Sequence, residues 1–113
     1  MRKLVVLLAV SVTTAALAIP ALAATKSVKV GDDWFVRKQG VPTVTAKAGD
    51  TVKWNFTGQS PHNVTVTKGP VKFKSPTKSS GSYSKKVTKA GTYRIICTIH
   101  GAKDQSMVLK VKK

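Results

Sequence analysis

His62, Cys97, His100 and Met107 are the side chains of this sequence best suited to hold a soft or borderline metal ion. Three of them fall in one short stretch, CTIHGAKDQSM, at residues 97 to 107. Cys97 is the single cysteine and has no partner within the chain. Two imidazoles, a thiolate and a weak thioether compose the donor set of a blue-copper electron-transfer site. Each residue also has an ordinary reading. Cys97 can be a buried free thiol acting as a small apolar side chain. His62 can be a loop or strand-end histidine, and His100-Gly101 a simple turn. Met107 alternates with Leu109 and Val111 and can be a core residue. One metal site would account for all four residues and for the unpaired thiol together.

Such donors need a frame that brings distant segments to one point. The eight glycines stand at 31, 40, 49, 58, 69, 81, 91 and 101, a regular turn spacing with Val, Ile and Thr between them. That pattern predicts a small all-β sandwich or barrel. Period-two alternation marks the strands. Val28 and Val30 alternate with lysines; Val52, Trp54 and Phe56 share one face of 51–56; Tyr93, Ile95, Cys97 and Ile99 share one face of 92–99. Residues 43–47 and 51–56 read as two strands joined by a turn at Ala48-Gly49-Asp50. His62 opens a strand over 62–67, and Met107 begins the last, over 107–112. Residues 67–82 read as a surface connection with a short irregular strand at 71–73. Nothing of length is helical. On this reading Cys97 ends one strand, His100 lies in the following loop and Met107 starts the next, so all three sit at one end of the sandwich.

The first 23 residues have the parts of a secretory signal: Arg2-Lys3, an apolar run from Leu4 to about Ile19, and Ala21-Leu22-Ala23. Cleavage after Ala23 leaves residues 24–113 as a single domain that is secreted or periplasmic. An uncleaved membrane anchor is the alternative, with a run barely long enough to span a bilayer. The net charge of +16 falls to +14 when Arg2 and Lys3 leave with the signal. Charge of this sign favours anionic partners without specifying a fold. Nucleic acid is not expected, because the lysines are spread along the chain, aromatics are few and no nucleic-acid motif is present.

VPTVTAKAGDTVKWNF (41–56), SPHNVTV (60–66), KAGTYRIICTIHG (89–101) and MVLKV (107–111) together resemble the cupredoxins of plastocyanin and pseudoazurin type, in matching order from about Ser27 to Lys112. The resemblance implies a Greek-key β-sandwich of about eight strands holding one copper ion. His62, Cys97 and His100 would form the trigonal set and Met107 the long axial contact. Asn63 would tie the strand of the first ligand to the cysteine loop. An electron would pass at the surface formed by His100, Gly101 and Ala102. One departure is visible: residues 101–106 make the ligand loop longer than the family's usual spacing. Gln105 or a backbone carbonyl is the alternative axial donor.

The expected function is that of an exported blue-copper one-electron carrier and not an enzyme. Its partners would be redox proteins with acidic docking surfaces, and a monomer is expected. Both histidines are taken by the metal, leaving none for acid–base chemistry. The alternatives are an extracytoplasmic copper carrier or buffer, and a basic module binding anionic cell-wall polymer or membrane surface.

Overall fold

The computed structural model describes residues 22–113. The expected signal segment lies outside the described residues except for Leu22 and Ala23. No helix among the described residues is long and apolar enough to cross a membrane.

Among the described residues, eight strands and one helical turn follow in order: β1 (Thr25–Gly31), β2 (Trp34–Phe35), β3 (Thr43–Lys47), β4 (Thr51–Phe56), β5 (Thr65–Lys68), β6 (Ser82–Lys86), β7 (Gly91–Ile96), α1 (Gly101–Asp104) and β8 (Ser106–Lys112). They form two four-stranded sheets, ordered β2-β1-β4-β6 and β3-β8-β7-β5. β1 lies parallel to β4, and β3 parallel to β8, while the remaining pairs are antiparallel. The molecule is thus the expected all-β Greek-key sandwich.

Alternation decides which side chains fill the space between the sheets. In β4 every second residue is buried, placing Val52, Trp54 and Phe56 inward beside Val28 and Val30 of β1. Tyr93, Ile95, Leu109 and Val111 bury the facing side from β7 and β8. Each fully buried side chain of this size contributes about 1.5–3 kcal/mol relative to exposure. Trp54 at the centre keeps a polar requirement that the core must meet, and its indole N–H donates to Met107 Sδ at 3.4 Å.

The turn at Ala48-Gly49-Asp50 is present, but β3 and β4 belong to different sheets. Alternation assigns a strand's faces without naming its neighbour, and here the turn is a corner between the layers. Gly49 supplies the left-handed backbone with φ 99°. The Asp50 carboxylate accepts the N–H groups of Lys47 and Ala24, both at 2.9 Å, fastening the corner to the start of β1. Those two bonds, that of Lys47 first, hold its carboxyl below the usual range.

Three other boundaries differ from the sequence reading. β5 starts only at Thr65, and His62 makes a single antiparallel bridge to Lys78. No strand forms at 71–73. Instead Val66 N–H donates to Phe73 O and Ser75 N–H to Val64 O, so this segment covers the exposed edge of β5. The Phe73 ring packs 6.0 Å from Trp54 and 6.1 Å from Tyr93, centroid to centroid. Finally, β7 stops at Ile96, and Ile99 is 52% exposed where alternation placed it on the buried face. The chain has by then turned out of the sheet toward α1.

Candidate metal centre

Cys97 follows β7 directly and stays in the ladder through one bond, Cys97 N–H to Gln105 O at 3.1 Å. Its side chain is fully buried. The next turn closes through Gly101 N–H to Cys97 O at 2.8 Å, which brings His100 back over the cysteine. Gly101 stands in the left-handed region with φ 81° and leads into α1. His62 arrives from the other side of β7, fixed by paired backbone bonds with Lys78 at 2.9 and 2.8 Å. Two segments far apart in sequence, one at His62 and one at 97–101, therefore meet at one end of the sandwich.

The meeting is close. Cys97 Sγ lies 3.9 Å from His62 Nδ1 and 3.5 Å from His100 Nδ1, and the three ligand atoms all fall within 4.8 Å of one another. An ion about 2.0 Å from nitrogen and about 2.3 Å from sulfur reaches a nitrogen and a sulfur up to roughly 4.3 Å apart. Both separations are shorter, so a single ion fits between bent donor pairs. A thiolate with two imidazoles is the chemistry of copper or zinc and not of a hard cation. The cluster suits a single copper ion.

The imidazoles turn their outer nitrogens to a pair of carboxylates that the sequence reading did not single out. His62 Nε2 is 2.8 Å from Asp32 Oδ1, and His100 Nε2 is 3.4 Å from Asp33 Oδ1. These aspartates form the two-residue connection between β1 and β2, with Asp33 at φ 64°, a conformation aspartate tolerates. Asp32 also accepts the N–H groups of Gln59 and Ser60 and the Ser60 hydroxyl. The bond from His62 is the largest cause holding its carboxyl well below the ordinary range, with the two backbone bonds next. Gly58 leaves the room this needs, since a Cβ there would stand 2.2 Å from Asp32 Oδ1. A carboxylate on the outer nitrogen selects the tautomer whose inner nitrogen carries the lone pair, the arrangement that metal-bound histidines use. Two adjacent acids in a chain with four in all were the available signal.

Asn63 bridges the ligand segments. Its Nδ2 donates to Thr98 Oγ1 at 2.7 Å, and its Oδ1 accepts Thr98 N–H at 3.1 Å and the Thr65 hydroxyl at 2.9 Å. The residue beside His62 is thereby fastened to the residue after Cys97. His100 is partly exposed, with 21% of its side chain accessible, and Ala102 beyond it is exposed.

Met107 stands one step along β8 from the level of Cys97. On β8 it pairs with Ile95, one layer beneath Cys97, is fully buried, and presents its sulfur to the Trp54 N–H. The residue opposite Cys97 is Gln105, also fully buried, with Oε1 2.9 Å from His62 Nδ1. Its Nε2 donates to Gly31 O at 3.0 Å and Trp34 O at 2.9 Å.

Comparison with known proteins agrees with this geometry. The family model of copper binding proteins of the plastocyanin/azurin family matches residues 25–112. The chain is 38% identical over 94 residues to amicyanin-alpha of Methylorubrum extorquens, covering 77% of this chain and 79% of that protein. It is 35% identical over 91 residues to plastocyanin of Prochlorothrix hollandica, covering 74% and 70%. Among solved structures, a methionine-to-glutamine variant of amicyanin in its Cu(I) form superposes with a TM-score of 0.65 at 30% identity, over 78% of this chain and 82% of that one. A copper-containing nitrite reductase from Thermus scotoductus shares the fold at 21% identity and a TM-score of 0.64, but this chain spans only 22% of its length. A match over nearly the whole described chain thus meets a donor cluster that the fold has closed around one point, and the chain belongs to the plastocyanin/azurin family of copper-binding proteins.

Proposed function

We propose that this protein is an exported one-electron carrier in which His62, Cys97 and His100 hold a single copper ion. The observation that carries the reading is the convergence of one sulfur and two imidazole nitrogens within 4.8 Å. Bound there, copper would supply a one-electron couple tuned by its weak fourth contact and by hydrogen bonds near the sulfur. The chain's own residues do the rest. β7 and β8 fix Cys97 from below, Asn63 fixes the loop from the side, and Asp32 orients His62. Donors held this firmly by a hydrogen-bonded scaffold move little when charge changes, which favours fast transfer in both directions.

His100 is the surface contact. Its Nδ1 lies beside Cys97 Sγ, whereas its Nε2 faces Asp33 on the solvent side, so one aromatic ring links the buried sulfur to the outside. The net charge of +16, or +14 after loss of Arg2 and Lys3, steers the protein toward acidic partners.

The copper-loaded protein is expected to show an intense visible thiolate-to-copper band that a mild reductant bleaches. Its electron-transfer rate with an acidic redox protein is expected to fall as ionic strength rises. A colourless copper complex with Cys97 intact would end the carrier reading, and a rate indifferent to salt would remove steering from it.

A further inference from the structure

We propose that Gln105, through its side-chain oxygen, is the fourth contact of the metal, and that Met107 serves the core. The inference rests on the copper reading above and concerns which side chain completes that site.

The orientation of the amide is fixed by its other end. Gln105 Nε2 has two hydrogens, and both are taken by backbone carbonyls, those of Gly31 and Trp34. Reversing the amide would set its oxygen against two carbonyl oxygens and forfeit both hydrogen bonds. Oε1 must therefore be the atom that points at the cluster, 2.9 Å from His62 Nδ1.

A conflict follows at that contact. The outer nitrogen of His62 gives its hydrogen to Asp32, an acceptor that already serves two backbone N–H groups. A neutral His62 then offers a lone pair at Nδ1, and Gln105 Oε1 offers another, with the Cys97 sulfur 3.9 Å away. Two acceptors at 2.9 Å, both fully buried, are compatible only when a cation, a proton or a metal ion, is shared between them. The site is electrostatically built for a positive charge, with the amide oxygen as one of its walls.

Register explains why the thioether is not that wall. Cys97 N–H bonds to Gln105 O, so residue 105 stands directly across from the cysteine, while residue 107 stands across from Ile95. Side chains two residues apart on a strand share a face but are separated along it by about 6.5–7 Å. Met107 is on the correct face one step too deep, where its sulfur is the partner of the otherwise unpaired Trp54 N–H.

An amide oxygen is a harder donor than a thioether and favours the more highly charged Cu(II), whereas sulfur favours Cu(I). Replacing Gln105 by Met should shift the relative affinity toward Cu(I) by at least about tenfold, a rise of about 59 mV in potential for one electron. The experiment is voltammetry with paramagnetic resonance on copper-loaded wild type, Gln105→Met and Met107→Leu. The expected result is a raised potential and altered copper hyperfine splitting for Q105M, and a lower melting temperature with unchanged potential and spectrum for M107L. A shift of tenfold or more in M107L, or an unchanged potential in a folded Q105M, overturns the assignment. Should Q105M not fold, M107L alone decides on the same criterion. A wild type without the thiolate band would instead overturn the copper reading itself.

Discussion

Asn63→Ala tests how far the ligand loop depends on one side chain. Asn63 is 5% exposed and makes three hydrogen bonds, two to Thr98 and one to Thr65. At about 1 kcal/mol net for each bond, the sum is about 3 kcal/mol. Thr98 is exposed and Thr65 half-buried, so water replaces part of what is lost, and about 2 kcal/mol is expected. For a domain of this size 1 kcal/mol corresponds to about 4–8 °C, giving a fall in Tm of roughly 8–16 °C. Melting should be followed for the metal-free and copper-loaded proteins by circular dichroism, with the visible band recorded in parallel. The metal-free variant should drop by this amount. The copper-loaded variant should also release its ion faster, because Thr98 directly follows Cys97. A metal-free Tm within about 2 °C of wild type would show that the loop is held by its backbone bonds and not by Asn63.

Two further changes probe the opposite end of the molecule. Asp50 has a folded pKa below its ordinary value, so its stabilisation is complete above about pH 4 and is lost as pH falls through the folded value. Asp50→Asn should lower the urea midpoint at pH 7 and flatten the loss of stability below pH 4; equal acid sensitivity in both proteins would exclude this carboxylate as a cause. Gly91 begins β7 at φ 149°, and a Cβ there would lie 2.5 Å from Pro70 Cγ. Gly91→Ala should cost about 1–3 kcal/mol in thermal unfolding while leaving the copper spectrum intact, and a change of spectrum would refute the separation of that end from the site.

The alternating residues of β1, β4, β7 and β8 were readable because burial on one face demands a period of two, and these strands form where that period runs. Strand pairing was not readable in the same way. The Gly49 turn looks alike whether the chain doubles back or crosses between layers, and only the parallel partners of β3 and β4 decide the matter. His62, Cys97 and His100 could be found by type, since the chain has no other histidine or cysteine. Met107 was named by type as well. Type does not fix its level along the strand, and on β8 it stands across from Ile95, two residues from the level of Cys97. That Gln105 stands across from Cys97 follows from the bond of Cys97 N–H to Gln105 O, a register that residue pattern does not reveal. Asp32 and Asp33 were overlooked since their role depends on a two-residue turn folding back 30 positions before His62.

The Gln105 amide has a mechanical meaning as well as a chemical one. It precedes β8 in one sheet, yet its hydrogens grip the ends of β1 and β2 in the other, so one planar group works as a crossbar between the two layers. Any widening of the sandwich would drag that oxygen away from the cluster, and any compression would push it inward. The separation of the two sheets at this end is in this way tied to where the amide oxygen stands beside His62.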